Sequence, residues 1–142
     1  MRQSLSLLNL PALSGLMPAI RASMRRIAGE DADGRKLLVD KLNAVSAREG
    51  VQVTGGNAKQ VSMDTVNKWL SPSDTNHAPS LNAILVFCLS MDDYEPLALI
   101  VKAIMPGGML LTPDEVKFYN LGKAEMELRA ARKRKRQIED QL

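Results

Sequence analysis

The chain has 142 residues, the length of one ordinary domain, and 45% of them are hydrophobic while 25% are charged. One cysteine and one histidine exclude a disulfide framework and a cysteine-rich zinc site, and a Ser-His or Cys-His enzyme would depend on His77 alone. Aromatic residues make up only 4% of the chain, whereas Met occurs 8 times, which favours packed helices over a β-sandwich. We therefore predict an all-α protein that is not an enzyme and that uses no cofactor or metal.

Positive charge is concentrated near the carboxyl terminus. The formal net charge is +3, but six of the eight residues from Arg129 to Arg136 are Lys or Arg. Without these six, the chain has 13 basic and 16 acidic side chains. Such an asymmetry is compatible with nucleic-acid contact, and it is also typical of a solvated helix face.

The amino-terminal segment shows no strong targeting pattern. No run of ~18 apolar residues is present, so we expect no transmembrane helix and no membrane partner. The first residues resemble a signal peptide only weakly, because Asn9 and Pro11 interrupt their apolar part. We expect residues 1–15 to form an arm, and the protein to be cytoplasmic with Cys88 as a reduced core thiol.

The first two helices of a body over residues 16–106 are predicted from apolar residues at helical spacing. Residues 18–28 form one amphipathic helix, whose inward stripe is Ile20, Met24 and Ile27. Asp33 is expected to cap a second helix that runs to about Arg48 and stops at Gly50. Its core face consists of Leu38, Leu42 and Val45, flanked by Leu37 and Val39.

A short helix is predicted after the long turn that follows Gly50. Ser62 caps it, Asp64 lies in its first turn near the positive end of the helix dipole, and Pro72 stops it. The inward face is spaced i, i+3, i+4 and consists of Val66, Trp69 and Leu70. The residues left facing outward are Met63, Asp64, Asn67 and Lys68.

Two further helices complete the predicted body. Ser80 is expected to cap a helix over residues 81–91, which is apolar nearly all round and therefore central. Its apolar residues are Leu81, Ile84, Leu85, Phe87, Cys88 and Leu89. Pro96 lies in the first turn of the next helix, which reaches about Met105. The residues that we expect inside are Leu97, Ile100, Val101 and Ile104.

The last helix, over residues 112–142, carries a coiled-coil pattern. Thr112 caps it and Pro113 occupies its first position. A heptad a/d seam is formed by Leu121, Ala124, Leu128, Ala131, Lys135, Ile138 and Leu142. In a parallel dimer, Glu127 would face Arg132, and Arg134 would face Glu139, and both pairs attract. We predict dimerisation through this seam, while packing of the same stripe on its own domain remains the alternative.

Residues 61–70 have the sequence pattern of a helix-turn-helix recognition helix. Such a helix presents polar residues to the DNA major groove while its apolar back anchors it to the body. Asn bonds adenine bidentately and Lys reaches guanine or a phosphate. Our base-reading candidates are Met63, Asp64, Asn67 and Lys68, although Asp64 could instead serve only to stabilise the helix start.

The chain from about Gly34 onward resembles small helix-turn-helix regulators encoded by Mu-like phages and prophages, and its short helix resembles that of lambda-repressor-like regulators. The resemblance is carried by residues 34–37 and 41–43, by 54–59 and 62–72, and by 77–81, 86–88 and 95–97. It implies a sequence-specific transcriptional regulator in a bacterial host cell. It also implies that residues 35–48 support the recognition helix over residues 62–70.

One departure from the usual motif is the connection over residues 50–61, because a helix-turn-helix normally has a turn of 3–4 residues. Its Gly55–Gly56 stretch could grip a phosphate or could simply connect two helices. The phosphate-contacting candidates are Lys36, Lys59, Ser62 and Thr65, and the cations Arg21, Arg25, Arg26 and Lys68 are further candidates.

Two functions from different classes remain after the sequence is read. The first is a dimeric regulator that binds double-stranded DNA, with a helix-turn-helix at about residues 35–70. The second is a phage structural, assembly or DNA-packaging accessory protein that binds a protein partner through its C-terminal helix.

Overall fold

The computed structural model describes residues 13–56 and 58–142, and the regular secondary structure within them is entirely α-helical. In chain order the helices are α1 (Leu16–Ala28), α2 (Ala32–Glu49), α3 (Met63–Leu70), α4 (Leu81–Met91), α5 (Glu95–Ile104) and α6 (Pro113–Asp140). The predicted all-α class and the long C-terminal helix are both confirmed. Most of the predicted arm, residues 1–12, lies outside the described residues.

The chain divides into two compact units, the first ending at Gly108 and the second consisting of Met109–Leu142. The first unit contains α1 to α5 and the second contains α6. Among the described residues, no helix is both long and apolar enough to cross a bilayer.

The first unit is built around α1, which packs against each of α2, α3, α4 and α5. Helix α2 contacts both α3 and α4, and α4 contacts α5. The hydrophobic core is therefore shared by all five helices, and most of it is aliphatic. Its largest fully buried side chains include Ile20, Met24, Leu42, Leu70 and Phe87. Cys88 lies in this core as a free cysteine, and burial raises the pKa of its thiol.

Side-chain caps start four of the helices. Ser62, Ser80 and Thr112 each accept the backbone N–H three residues later, as predicted. At α6 the carboxylate of Glu115 also accepts the N–H of Thr112, which completes a capping box.

The predicted cap of α2 was wrong by two residues. Asp31, not Asp33, is the N-cap, and its carboxylate accepts the N–H of Gly34 at 3.0 Å. Asp33 lies in the first turn instead, where its charge favours the positive end of the helix dipole. Helix α2 ends as predicted at Gly50, whose φ of 66° is the left-handed conformation that Gly adopts without strain.

The inward face of α2 is confirmed at Leu38, Leu42 and Val45, but several apolar residues predicted to lie inside are exposed. Leu81 and Leu89 of α4 are 61% and 45% exposed, so this helix is not covered all round. Ile104, the last residue of α5, is 66% exposed. The buried positions of α4 include Ala83 and Val86, which the apolar pattern did not single out.

The connection between α2 and α3 is braced by its own side chains. The Gln52 Nε2 donates to the carbonyl of Gly56 at 2.7 Å, and the Thr54 hydroxyl donates to the carbonyl of Ala58 at 2.7 Å. Val53 and Val61 are buried on either side of this turn. The two ends of the long turn predicted here are therefore anchored in the core, through Val53 and Val61.

Candidate nucleic-acid interface

Helix α3 is short, amphipathic and capped, as its sequence indicates. The Ser62 hydroxyl accepts the N–H of Thr65 at 3.2 Å, and Asp64 lies in the first turn. Its apolar side is buried, with Val66, Trp69 and Leu70 no more than 5% exposed. Because an isolated helix of 8 residues is unstable in water, α3 depends on this packing and on contacts at its ends.

The amino-terminal end of α3 is fixed by Asn43 of α2. The Asn43 Nδ2 donates to the carbonyl of Val61 at 3.1 Å, and its Oδ1 accepts the Val61 N–H at 2.8 Å. One side-chain amide therefore satisfies both backbone groups of the residue that precedes the helix cap. This pair of bonds ties the start of α3 to the middle of α2.

The carboxyl-terminal end of α3 is fixed by Arg21 of α1. The Arg21 Nε donates to the carbonyl of Trp69 at 2.8 Å, and Nη2 donates to the carbonyl of Lys68 at 2.6 Å. Its Nη1 donates to the carbonyl of Asp74 in the following loop. The cation thus donates to two carbonyls of the last helical turn, of which that of Lys68 also accepts the Ser71 N–H, and its charge favours the negative end of the helix dipole.

Arg21 was a phosphate-contacting candidate, and that prediction was wrong. Its side chain is 4% exposed and its guanidinium faces the protein backbone rather than solvent. The sequence could not distinguish Arg21 from Arg25 and Arg26. These two arginines are exposed and pair with Glu30 and Glu95 respectively.

The outward face of α3 carries the base-reading candidates. Asp64 and Asn67 are exposed, whereas Met63 and Lys68 are half-buried. The Lys68 Nζ lies 3.1 Å from a carboxylate oxygen of Asp64, one helical turn away. This is a surface ion pair of the weak kind, so it competes little with another partner of either side chain.

Asn67 is oriented by a residue that sequence reasoning did not single out. The Arg35 Nη1 donates to the Asn67 Oδ1 at 2.9 Å, and the Arg35 Nε donates to the carbonyl of Gly29 at 3.0 Å. Glu30 accepts from both Arg35 and Arg25, and the bond from Arg25 lowers the pKa of that carboxyl. Because 32 residues separate Arg35 from Asn67, no local sequence pattern predicts this contact.

A small polar cleft lies beside Asn67. It has a volume of about 120 Å³ and is lined by Arg25, Arg35, Asn67, Leu70 and Ser71. Two guanidinium groups and one amide thus lie at the edge of the exposed face of α3. Both guanidinium groups already pair with Glu30, so only their remaining N–H groups are left to donate to a partner at this cleft.

Only two of the four phosphate-contacting candidates are cations, and they lie on different elements. Lys36 is exposed on α2, and Lys59 is exposed in the loop before α3. The Ser62 hydroxyl is engaged in the helix cap and lies 3.1 Å from the Thr65 hydroxyl, while Thr65 itself is half-buried. Ser62 and Thr65 instead line a wider groove of about 550 Å³, which also includes Lys68 and His77.

His77 is one of the residues that line this groove. Its Nδ1 lies 2.9 Å from the nearer carboxylate oxygen of Asp74, and this hydrogen bond lowers the pKa of Asp74. The same Asp74 provides the backbone carbonyl that accepts from Arg21. The loop after α3 is therefore held both by α1 and by its own histidine.

The predicted dimer seam lies on a helix without any buried residue. All 28 residues of α6 are exposed, and the large seam residues Leu121, Leu128 and Ile138 are 58%, 51% and 61% exposed. Ala124, Ala131, Lys135 and Leu142 are exposed as well. The seam is thus exposed along its whole length within α6, and dimerisation through it stays a prediction.

Comparisons with protein-family models, with curated proteins and with solved structures found no match to this chain.

Proposed function

We propose that this chain is a sequence-specific DNA-binding transcriptional regulator of phage or prophage type that acts as a dimer in the bacterial cytoplasm. The observation that carries the proposal is the anchoring of α3. Asn43 holds its beginning, Arg21 holds its end, and a polar face remains exposed between them. A helix that reads base edges needs this combination of a fixed position and an accessible polar face.

Asn67 is the side chain best placed to read a base. An Asn amide recognises adenine by accepting a hydrogen bond at Oδ1 and donating one from Nδ2. Arg35 donates to the Oδ1 and so selects the orientation of the amide, while the carbonyl oxygen keeps a second lone pair. We expect this preorganisation to lower the ordering cost of binding.

Helix α6 supports dimerisation. Its exposed apolar seam needs a partner, and the facing pairs Glu127–Arg132 and Arg134–Glu139 would attract in a parallel arrangement of two copies. A dimer would bring two α3 helices to one DNA duplex. The corresponding half-sites would then be related by two-fold symmetry and lie about 10–10.5 base pairs apart.

The test is a selection from a duplex library with 20 random base pairs, using the purified full-length chain at 50 mM salt. We expect enrichment of a two-fold symmetric site. In Asn67→Ala the affinity for the selected site should fall by a factor of about 5–150, corresponding to about 1–3 kcal/mol for one bidentate base contact.

The matched control is Asn82→Ala, which removes an exposed amide from α4 and should leave the affinity unchanged. The proposal fails if no sequence is enriched, or if both variants bind the selected site as tightly as the original chain. Circular dichroism of both variants establishes that each remains folded.

A protein-binding adaptor is the second candidate, and the exposed surface of α6 favours it. Besides the seam, this helix exposes Phe118, Tyr119 and Met126, which are 74%, 62% and 72% exposed. Light scattering of the full chain and of Leu121→Gln/Leu128→Gln discriminates between the two candidates. A dimer that the double variant dissociates supports the regulator, whereas a monomeric chain without sequence-selective DNA binding supports the adaptor.

A further inference from the structure

The C-terminal half of α6 carries a row of cations on one face, in addition to its seam. An α-helix turns by about 100° per residue, so the six cations of residues 129–136 do not share one face. Arg129, Lys133 and Arg136 are spaced i, i+4, i+7 and fall within an arc of about 60°. We name these three residues the basic stripe.

The basic stripe and the seam face different directions. The mean direction of the stripe lies about 140° around the helix from that of the seam. In heptad terms the three cations occupy b and f positions, which stay outside a two-stranded coiled coil. Arg132 and Arg134 occupy the flanking e and g positions and belong to the seam. Pairing of two α6 helices would therefore leave the basic stripe accessible.

The three cations have no carboxylate partner within the described residues. The ion pairs of α6 join Lys117 to Asp114 at 3.9 Å and Lys135 to Glu139 at 3.8 Å, and neither includes the stripe. Glu125 and Asp140 lie one turn before and one turn after the stripe and limit its length. All three stripe residues are exposed.

The dimensions and composition of the stripe fit a nucleic-acid backbone. Seven residues of helix rise by about 10.5 Å, which is the length of about three base-pair steps of 3.4 Å. Two of the three cations are arginines, whose planar guanidinium bonds phosphate in a bidentate manner. The neighbouring seam contains two alanines and a lysine and no aromatic residue, so α6 lacks the apolar face of a membrane-surface helix there.

We propose that Arg129, Lys133 and Arg136 form a sequence-independent contact to the phosphates of a nucleic acid, separate from the base-reading face of α3. The contact adds affinity for any duplex and carries no sequence preference. It also makes binding more sensitive to salt, because each neutralised phosphate contributes about 0.9 to the slope of log affinity against log salt.

The experiment measures fluorescence anisotropy of a labelled 20-base-pair duplex of one arbitrary sequence, with the full-length chain, between 50 and 200 mM salt. We expect Arg129→Gln/Lys133→Gln/Arg136→Gln to reduce the magnitude of the slope by about 2–3, since up to three phosphate contacts are lost. Gln has nearly the helix propensity of Lys and Arg, so α6 should persist, and circular dichroism monitors it.

The matched control removes three exposed lysines outside the stripe, in Lys102→Gln/Lys117→Gln/Lys123→Gln, and should leave the slope unchanged. A second variant, Arg129→Lys/Arg136→Lys, keeps the charges and should retain the slope. Equal slopes for the stripe variant and the lysine control would overturn the proposal. So would a stripe variant that binds the duplex normally but loses binding to phosphatidylserine vesicles.

This result is independent of the proposed function. Asn67→Ala changes no charge and should leave binding to the arbitrary duplex unaffected, although it weakens the selected site. A chain without a selected site but with a stripe-dependent slope would retain the phosphate contact and reject the regulator. The reverse outcome would retain the regulator and reject the stripe.

Discussion

Arg21 provides the sharpest test of how α3 is held. Its guanidinium donates to three backbone carbonyls and lies in a site where the side chain is 4% exposed. We consider Arg21→Met, which keeps a long stem of similar width and removes both the charge and the donors. The carbonyls of Lys68 and Trp69 then lose a hydrogen-bond partner at the end of α3.

The magnitude follows from opposing contributions. A hydrogen bond that involves a charged group contributes about 1.5–3 kcal/mol, so three such bonds set an upper limit of about 4.5–9 kcal/mol. Burial of an ion without a carboxylate partner costs several kcal/mol, and the methionine avoids that cost. We therefore expect a net loss of about 2–4 kcal/mol in the free energy of unfolding.

Urea denaturation monitored by tryptophan fluorescence measures this loss directly. Trp69 is the single tryptophan, is 5% exposed, and has the carbonyl that accepts from Arg21. With a denaturant slope of about 1.5 kcal/mol per molar urea, the midpoint should fall by about 1.3–2.7 M.

Arg26→Met is the matched control, because it makes the same substitution on the same helix at an exposed ion pair with Glu95. Its midpoint should stay close to that of the original chain. The reasoning would be refuted if Arg21→Met lowered the midpoint no more than Arg26→Met does. Faster hydrogen exchange of α3 amides in Arg21→Met, but not in the control, would locate the effect.

Three further predictions concern the elements around α3. Asn43→Leu removes both bonds to Val61 and should lower the free energy of unfolding by about 1–3 kcal/mol, measured by urea denaturation. In Gly50→Ala the added Cβ meets no atom within 4 Å, so the substitution costs only the strain of a non-glycine residue at a φ of 66°. This strain should lower the free energy of unfolding by about 1 kcal/mol and the melting temperature by about 4–8 °C. Asp74→Asn tests how stability depends on pH in the acidic range, because the bond to His77 lowers the pKa of Asp74 in the folded state. The ionised Asp74 therefore stabilises the protein above the unfolded pKa, and this stabilisation is lost as the pH falls through the folded pKa. Thermal melts of the original chain and the variant should differ near pH 6, and the difference should shrink only as the pH falls below the ordinary Asp range towards the lowered pKa of folded Asp74. A difference as large at about pH 2 as at pH 6 would contradict this assignment.

Local chemistry made the helix boundaries predictable. Ser62, Ser80 and Thr112 cap their helices through bonds that span three residues, and Gly50 ends α2 through its own backbone conformation. These interactions depend only on neighbours in sequence. The misplaced cap of α2 reflects the same limit, since two aspartates lie two residues apart and either can cap.

Burial and tertiary contacts were less accessible to sequence reasoning. Leu81 and Leu89 have the apolar character of core residues, but exposure depends on which helix covers each side of α4. The hydrogen bond from Arg21 to the carbonyl of Trp69 joins residues 48 apart in sequence. No residue near either of them in sequence indicates that the two are in contact. The candidate reading face could be outlined from spacing alone, whereas the orienting role of Arg35 required the fold.

Because every residue of α6 is exposed, the state of this helix depends on the concentration of the protein. A lone helix in water is only marginally ordered, and Gly122 in its interior weakens it further by about 1 kcal/mol. If two copies pair through the seam, ordering of α6 and assembly are one equilibrium, which dilution shifts towards unpaired chains. Half-sites on DNA would then be filled together only above a threshold concentration of the protein. If the proposed function holds, such a regulator would respond to its own concentration in the cell.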